Sequence, residues 1–349
     1  LEYRHDIPTP RPAPDEVLIN VSAAGMNNTD INTRIGWYSR SVSSGTTADV
    51  DGEDMGDWNS NVQFPRIQGA DVVGRIVAVG ENVDPARIGE RVVCDPYITD
   101  PDDPTGLESA GFLGLEYDGA FAQFIRVPAR NVVAVPDDLL VSDAALATLP
   151  CSGGTAMNML LLAGARAGDL AMVTGASGGV GSFLVQILKA LGAEVVALCG
   201  ASKREAVAAL GADHLVDRAS PDLVEAVLAA TGGRRLSLVA DVVGGDAFPD
   251  YLQLLRRGGR YVTAGAIAGP LVQLDLRTLY LKSLSLFGST VYRRDTFPTL
   301  VELTVAGKIQ PLVASTWPLA EIHAAQTAFL GKTHVGSLVL LPPPLEDTP

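Results

Sequence analysis

The densest set of residues with chemical meaning is the glycine cluster in the stretch LAMVTGASGGVGS. An apolar run typical of a buried strand ends at Thr174, and the apolar periodicity of a helix follows the glycines. Glycine lets the chain turn tightly and bring backbone N–H groups against a phosphate, and the helix N-terminus adds partial positive charge. The turn therefore predicts a dinucleotide-binding site formed by Gly175, Ala176, Ser177, Gly178, Gly179, Val180 and Gly181. In the usual G-x-G-x-x-G spacing, Ala176 occupies the position of the first glycine, so the first glycine is shifted or lost in this chain.

The residues after the second strand of this region indicate which dinucleotide binds. An Asp or Glu at the end of that strand would accept hydrogen bonds from ribose hydroxyls and repel a 2′-phosphate. The stretch VVALCGASKREA has no carboxylate at that point, and two cations follow at once. Donors and positive charge suit a 2′-phosphate, so NADPH is the predicted cofactor, bound by Gly200, Ser202, Lys203 and Arg204. The alternative is that Lys203 and Arg204 are only solvated residues at a helix start.

Alternating strand and helix patterns must hold these residues in place. From about residue 140 the chain alternates buried strand runs with amphipathic helices, which predicts a parallel, doubly wound sheet with right-handed crossovers. One of the predicted helices spans AFPDYLQLLRRGG, residues 247–259. The first 130 residues are β-rich, and the chain after residue 290 predicts two amphipathic helices and a terminal strand. A length of 349 residues suits two domains.

Composition and charge disfavour several classes of function. Forty acidic against twenty-six basic side chains give a net charge of −14, so neither nucleic acid nor anionic lipid is expected as a main partner. The three cysteines are far apart and predict neither a disulfide framework nor a zinc ribbon. Apolar stretches such as MNMLLLAGA are shorter than the ~20 residues of a membrane helix, and the first residues do not resemble a signal peptide. A cytoplasmic protein with no membrane partner is the expectation.

Seven motifs in order resemble the medium-chain dehydrogenase/reductase (alcohol dehydrogenase-like) superfamily, and within it the zinc-independent quinone oxidoreductase-like branch. They are GMNNTDINTR, GADVVGRIVAVG, GAFAQFIRVPA, ATLPCSGGTAMNML, GASGGVGS, LGADHLVD and LLRRGGRYVTAGAIAG. The resemblance implies a GroES-like, β-rich and partly barrel-like catalytic domain formed by residues 1–130 and 290–349. A Rossmann NADP-binding domain over residues 131–289 is inserted in it, with the active site in the cleft. The resemblance also implies a homodimer joined through the last Rossmann strands, here residues 284–289.

The zinc-dependent alcohol dehydrogenases of this superfamily hold a catalytic metal with Cys, His and Cys. By motif position these ligands map onto Asn27, Ala70 and Cys151. Only the cysteine is retained, whereas a zinc site needs about three protein ligands and an open position. Asp71 is not expected to replace the histidine, because neighbouring side chains in a strand point to opposite faces. The lobe that usually holds four cysteines contains Cys94 alone, so no metal is expected at either site; a convergence of Asn27, Asp71 and Cys151 is the arrangement left open.

Motif position also implies the candidate catalytic residues, which are Asn27, Thr29, Asp30, Tyr38 and Cys151. Thr29 maps onto a hydroxyl that relays protons in zinc-dependent relatives, and a helix-capping role is the alternative. Asn27 could orient a substrate carbonyl, whereas Asp30 is expected to anchor the loop. Tyr38 lies where relatives often place an aromatic ring over the substrate; its hydroxyl is a candidate proton donor, and packing alone is the alternative. Cys151 is expected to pack near the nicotinamide.

Further cofactor contacts are implied at the carboxyl ends of the other parallel strands, where open sheets bind ligands. The residues expected to face the nicotinamide half are Thr155, Val243, Gly244, Gly265, Ala266 and Ile267. Those expected to approach the carboxamide are Phe287, Gly288 and Ser289.

The expected absence of zinc favours one class of reaction. Zinc stabilises a localised alkoxide, whereas hydride addition to an α,β-unsaturated carbonyl or a quinone gives a delocalised charge that a few donors can hold. We expect an NADPH-dependent reductase of a small hydrophobic enone, quinone or other activated double bond. Carbonyl reduction and a non-catalytic NADPH-binding sensor are the alternatives. The acidic segment from about residue 40 to 64 is expected to border the cleft.

Overall fold

The structure is a computed structural model that describes residues 1–48, 62–100, 102–103, 106–107 and 109–344. Residues 49–61 of the acidic segment lie outside the described residues, so its position beside the cleft stays a prediction. The strands are β1 (Glu16–Gly25), β2 (Val72–Val79), β3 (Arg91–Cys94), β4 (Tyr97–Ile98), β5 (Gly111–Phe112), β6 (Phe124–Pro128), β7 (Val132–Ala134), β8 (Leu170–Val173), β9 (Glu194–Cys199), β10 (His214–Asp217), β11 (Leu236–Asp241), β12 (Leu255–Thr263), β13 (Ser285–Gly288), β14 (Val313–Pro318) and β15 (Ser337–Leu341). The helices are α1 (Asn28–Arg34), α2 (Asp143–Leu146), α3 (Gly154–Leu162), α4 (Gly179–Ala190), α5 (Arg204–Ala208), α6 (Leu223–Ala230), α7 (Phe248–Leu254), α8 (Leu276–Leu281), α9 (Thr296–Val305) and α10 (Ile322–Leu330).

The glycine cluster follows the central strand of a parallel sheet. Within the described residues this sheet has six strands in the order β10-β9-β8-β11-β12-β13, and every adjacent pair runs parallel. The connections from β8 and from β11 run outwards in opposite directions, which opens a crevice between the carboxyl ends of these two strands. The doubly wound fold predicted from the sequence is confirmed, and the crevice places the glycine turn where a dinucleotide would bind.

Both ends of the chain contribute to the second sheet. Its order in the described part of the chain is β14-β15-β1-β2-β3-β7, with β6 paired to β1. The C-terminal strand β15 pairs antiparallel with β1 through Ala24 and Gly25. This discontinuous, β-rich arrangement agrees with the expected GroES-like fold.

The structure changes two predicted limits, the end of the first domain segment and the end of one helix. A domain boundary after residue 130 would separate β7 from its sheet, whereas β7 pairs with β3 through Val132–Ala134. The boundary therefore moves beyond β7, and the division into domains remains a prediction. The helix predicted over residues 247–259 was wrong at its end, since α7 stops at Leu254 and β12 begins at Leu255. The reason is that Leu255 is fully buried against β11 while Gly258 has a φ of 68°, which no helix accepts.

In the part of the chain that the structure describes, one helical stretch has the length and composition of a membrane span. It covers 20 residues from Asp143 to Leu162, but 72% of its apolar window is buried inside the protein. The stretch is also interrupted, because a π turn (Leu149–Gly153) separates α2 from α3. A core helix explains it better than a membrane helix does.

An apolar core joins the two sheets. Val73 and Val93 of the antiparallel sheet belong to the same buried cluster as Val173 and Leu238 of the parallel sheet, with Phe183 of α4 between them. Each fully buried large side chain of this kind stabilises the fold by roughly 1.5–3 kcal/mol. The shared core therefore holds the parallel sheet against the π turn, which contributes Leu149 to it.

Candidate active site and cofactor site

Asn27 precedes the helix α1 and lies in a buried hydrogen-bond network. Its backbone N–H donates to Asp30 Oδ2 at 2.7 Å, as is typical of a helix start, so Asp30 anchors the loop as expected. Its side-chain Nδ2 donates to Asp71 Oδ2 at 2.9 Å, and its Oδ1 accepts from Ser152 Oγ at 3.1 Å. The amide is thus held from both ends, which leaves one N–H for any substrate carbonyl.

Asp71 differs most from the prediction, because its side chain points into the site and not away from it. It is 1% exposed, and its Oδ1 accepts from the backbone N–H of Cys151 at 2.7 Å while Oδ2 accepts from Asn27. The alternation of side chains along a strand does not apply, because Asp71 lies before the start of β2 at Val72. Gly25 leaves room for the carboxylate, since a Cβ there would lie 2.4 Å from Asp71 Oδ2. Asn27, Asp71 and Cys151 therefore do converge, through hydrogen bonds.

The residues at the three former ligand positions do not fit a zinc site. Ala70 has no atom that could bind a metal and is fully buried in the apolar core. The amide of Asn27 is engaged by Asp71 and Ser152. Over the described ranges no group of three His, Cys, Asp or Glu side chains is arranged to hold a metal.

The π turn presents Cys151 and Ser152 to the site. Such turns are rare and are frequent at functional sites. Ser152 was not predicted, although it follows the cysteine directly; its hydroxyl bonds Asn27 and approaches the start of α4 so closely that a Cβ on Gly179 would lie 2.6 Å from its Oγ. Burial, together with the nearby carboxylates of Asp71 and Asp30, raises the pKa of the Cys151 thiol well above its usual range. Cys151 is therefore a neutral thiol at physiological pH.

Thr29 connects the Tyr38 phenol with the Cys151 thiol. Its hydroxyl is within hydrogen-bonding reach of both groups, and Asn32 also hydrogen-bonds the phenol. Burial raises the pKa of Tyr38, so the phenol stays protonated and can donate a hydrogen bond. The structure thus brings together three of the predicted catalytic residues, Thr29, Tyr38 and Cys151.

The hydroxyls of the neighbouring tyrosines Tyr97 and Tyr292 are also hydrogen-bonded. The hydroxyl of Tyr97 donates to the backbone oxygen of Thr290 at 3.2 Å, and that of Tyr292 donates to Asp95 Oδ1 at 3.1 Å. The two rings meet edge to face with centroids 4.7 Å apart. Both tyrosines therefore pack against each other and bond within the fold.

The glycine turn has the close approaches that a dinucleotide site requires. Gly175 has a φ of 56°, so the glycine missing from position 176 is shifted by one residue. A Cβ on Gly181 would lie 2.1 Å from the Gly175 oxygen, which keeps α4 close to β8. Gly178 precedes the first residue of α4, and Ser177 accepts a backbone hydrogen bond from Gly336 at 2.9 Å. These residues fit a pyrophosphate at the helix N-terminus.

The loops expected to face the nicotinamide surround the same crevice. Val243 and Gly244 follow β11, and their N–H groups donate to the fully buried carboxylate of Asp241. The other predicted residues lie at the start of α3, after β12 and at the end of β13: Thr155, Gly265, Ala266, Ile267, Phe287, Gly288 and Ser289. Asn158, which was not predicted, donates from Nδ2 to Ser289 Oγ at 2.8 Å and so fixes the last of them.

The end of β9 carries the positive charge that the sequence predicts. Ser202 and Arg204 are exposed beyond Gly200, whereas Lys203 is half-buried and donates to two backbone oxygens. Lys203 is therefore not merely a solvated residue. Arg218, which was missed, lies 3.9 Å from the position of a Cβ on Gly200 and follows the end of β10. Arg218 could have been predicted from the sequence, because it directly follows β10, the parallel strand next to β9.

Comparisons with known proteins agree with this architecture. Residues 13–137 match the alcohol dehydrogenase GroES-like domain, and residues 179–306 match the zinc-binding dehydrogenase family. The NAD-dependent alcohol dehydrogenase of Sulfurisphaera tokodaii is 29% identical over 97% of this chain and 95% of the relative. The acryloyl-coenzyme A reductase of the same organism is 30% identical over 97% of this chain and 95% of the relative.

Solved structures extend the comparison. A candidate alcohol dehydrogenase from Sinorhizobium meliloti 1021 superposes with a TM-score of 0.91 at 46% identity, over 98% of this chain and 92% of that chain. A 2-octenoyl-CoA carboxylase reductase in complex with NADP and 2-octenoyl-CoA gives a TM-score of 0.82 at 26% identity, over 98% and 82%.

The chain belongs to the medium-chain dehydrogenase/reductase superfamily and is an oxidoreductase of that superfamily, for which a nicotinamide cofactor is usual. The segment that matches the zinc-binding dehydrogenase family does not include Asn27, Ala70 or Cys151. Membership of the zinc-independent branch stays a prediction.

Proposed function

We propose that this protein is an NADPH-dependent reductase that transfers hydride to an activated C=C bond or a quinone without catalytic zinc. The observation that carries the proposal is the buried bridge between Asn27 and Asp71, which uses hydrogen bonds at the position where a metal-dependent relative has ligands. The site then offers neutral donors and no Lewis acid of its own.

The chemistry of the substrate follows from those donors. The bound nicotinamide would supply a hydride, which adds to the β-carbon of an enone while a proton reaches the α-carbon. The negative charge that develops is spread over an enolate, and one or two hydrogen bonds can hold it. Tyr38, kept protonated by burial, is the donor we assign to the carbonyl oxygen, and Thr29 positions it.

The cofactor preference rests on charge at the end of β9. No carboxylate ends that strand, and Arg204 and Arg218 are exposed near Gly200. An exchange of both arginines for glutamine is expected to weaken NADPH binding by about 10- to 100-fold while NADH binding changes little, because only NADPH carries the 2′-phosphate. An equal loss for both cofactors would contradict this assignment.

The reaction is tested with matched substrates. The rate of NADPH oxidation is measured with a 2-alkenal, with the saturated aldehyde of the same length and with a quinone. Reduction of the alkenal or the quinone but not of the saturated aldehyde is the expected result. Turnover of the saturated aldehyde alone would reject it, and no oxidation with any substrate would favour the non-catalytic NADPH sensor.

A carbonyl reductase or alcohol dehydrogenase is the second candidate, because the similar proteins include alcohol dehydrogenases. It would require Tyr38 and Thr29 to stabilise a localised alkoxide without a metal. The saturated aldehyde in the same experiment discriminates the two reactions.

The surface supports the expected homodimer. The segment before the edge strand β13 carries apolar side chains that are largely exposed: Leu271, Leu276, Tyr280 and Leu281. Exposed apolar patches of this kind mark interaction sites. We infer a cytoplasmic homodimer joined along β13, and sedimentation velocity would contradict it by giving the monomer mass.

A further inference from the structure

A fully buried carboxylate lies at the crevice of the parallel sheet. Asp241 is the last residue of β11 and is 0% exposed. It accepts from the hydroxyl of Thr174, which directly follows β8, at 2.5 Å and from the hydroxyl of Tyr261 in β12 at 2.6 Å. Asp241 therefore joins three adjacent strands near their carboxyl ends, where open sheets bind ligands.

The donors around Asp241 indicate that this side chain is ionised. Its oxygens also accept from the backbone N–H groups of Val243 and Gly244, which can only donate. The Thr174 hydroxyl itself accepts from the backbone N–H that follows Asp241, at 3.0 Å, so its own hydrogen points to the carboxylate. Burial and the nearby carboxylate raise the pKa of Tyr261, so the phenol also donates. A carboxylate can accept from all four groups, whereas a carboxylic acid would have to donate to one of them.

No basic side chain balances this charge in the part of the chain that the structure describes. Arg260, which precedes Tyr261 in β12, pairs at 2.5 Å with Asp169 at the amino end of the sheet. The ion pairs of the described residues do not include Asp241. A buried charge is costly unless it is paired or hydrogen-bonded, so hydrogen bonds alone hold this carboxylate in place.

The carboxylate lies directly behind residues that are predicted to face the nicotinamide. Val243 and Gly244 are two of these residues, and both donate to Asp241 through their N–H groups. Gly244 has a φ of 62°, a conformation that favours glycine. The loop after β12 is fixed to the same turn, because the Ala268 N–H donates to the Val243 oxygen at 2.8 Å. Asp241 therefore holds one wall of the crevice and places a negative charge behind it.

Hydride transfer changes the charge on this side of the crevice. The hydride carries two electrons to the substrate, so a neutral dihydronicotinamide ring becomes a ring of charge +1. A fixed negative charge behind the wall of the crevice stabilises that cation and leaves the neutral ring nearly unaffected. A unit charge that acts through a protein with an effective dielectric constant of about 20 changes an affinity by about 5- to 30-fold over roughly 8–15 Å.

We propose that the buried Asp241 carboxylate stabilises the nicotinamide cation through space and so favours the donation of hydride to the substrate. The proposal deepens the proposed function and rests on it for the ligand, a nicotinamide dinucleotide. Asp241 is a positioning residue and not a catalytic one, because it is fully buried and its oxygens are occupied by four donors of the protein. Its charge acts on the balance between the two oxidation states of the bound cofactor.

Titration calorimetry with the two oxidation states of one cofactor tests the proposal. NADP⁺ and NADPH differ in charge only at the nicotinamide ring, so the ratio of their dissociation constants cancels a structural loss that weakens both. Both are titrated into the unmodified protein, into Asp241→Asn and into two controls. Tyr261→Phe removes one hydrogen bond of the carboxylate and keeps its charge, and Asp169→Asn removes a buried carboxylate at the other end of the sheet.

Unfolding temperatures establish that each variant is folded. Asp241→Ser replaces Asp241→Asn if the latter does not fold. It removes the same charge, and its hydroxyl can still accept from a backbone N–H.

Asp241→Asn is expected to weaken NADP⁺ binding by about 5- to 30-fold more than NADPH binding, whereas the ratio in both controls should stay within about twofold of that of the unmodified protein. Equal weakening of both oxidation states, or a change of the same size in Tyr261→Phe or Asp169→Asn, would overturn the role of Asp241 and leave the proposed function intact. If the unmodified protein binds neither NADP⁺ nor NADPH, the role of Asp241 and the proposed function fail together.

Discussion

The side-chain amide of Asn27 donates from Nδ2 to Asp71 Oδ2 over 2.9 Å, with both residues buried. Asp71 also accepts from the Cys151 N–H, so this carboxylate joins all the elements on which a metal-dependent relative places its ligands. The bridge does with hydrogen bonds what coordination does in such relatives: it fixes the start of α1 to the π turn.

Asn27→Asp replaces the donor of this bridge with a second carboxylate. Two buried carboxyl groups would then face each other and one of them would have to hold a proton at neutral pH, which is expected to destabilise the fold by about 2–4 kcal/mol. Equilibrium urea unfolding measures the effect. Asn82 offers a matched control, because it donates to Asp15 Oδ1 at 3.0 Å in the same way but on the surface.

Asn82→Asp should cost less than about 0.5 kcal/mol. If Asn27→Asp and Asn82→Asp lower the free energy of unfolding equally, the buried Asn27 bridge contributes no more to stability than the exposed pair does.

Asp71 also predicts a dependence of stability on pH. Burial raises its pKa from about 3.8 to about 7, so between these values the folded protein holds a proton that the unfolded chain has released. Stability therefore falls as pH rises across that window, and then becomes constant. Asp30, whose pKa burial also raises to about 7, acts in the same direction, whereas His334 with its lowered pKa acts in the opposite one.

Asp71→Asn removes one of these titrations. The difference in unfolding free energy between the variant and the unmodified protein should change by on the order of 1–3 kcal/mol between about pH 4.5 and 7.5. Asp137→Asn, at an exposed carboxylate paired with Arg75, should run parallel to the unmodified protein. A parallel profile for Asp71→Asn as well would rule out the raised pKa.

Tyr38→Phe removes the hydroxyl that we assign to the developing enolate. It is expected to lower kcat by about 10- to 100-fold with little change in KM, since the donor acts mainly in the transition state. The loss of its bonds with Thr29 and Asn32 should also cost on the order of 1 kcal/mol of stability. Steady-state kinetics with the preferred substrate measure this. Tyr97→Phe is the control, because it removes a buried tyrosine hydroxyl that bonds the backbone of Thr290 and has no role assigned in the reaction, so its loss should affect stability more than rate.

An unchanged kcat in Tyr38→Phe would show that another group donates the hydrogen bond or the proton to the substrate. A rate loss of the same size in Tyr97→Phe would mean that neither hydroxyl acts specifically.

The parallel sheet and the glycine turn could be predicted because they depend on local patterns. The strands β8, β9 and β11 are buried, largely apolar runs, and the shifted glycine at position 175 is visible as a residue type. The end of α7 could not be predicted, because the apolar pattern of YLQLL suits a helix and only pairing with β11 places Leu255 in a strand.

The motifs predict which residues lie at the candidate site, but they do not predict the contacts between those residues. Motif spacing brought Thr29, Tyr38 and Cys151 to one place, but not the direction of Asp71, which depends on where β2 begins. Ser152 and Arg218 join the site through contacts between residues far apart in the chain. Such contacts leave no periodic signal in a sequence.

The central claim is that hydride transfer proceeds here without a catalytic metal. The direct measurement is the rate of enone reduction by NADPH in purified protein whose zinc content is determined by elemental analysis, before and after dialysis against a chelator. We predict far less than one zinc per chain and the same rate in both samples. Near-stoichiometric zinc together with a rate that falls on chelation and returns when zinc is added would contradict the account.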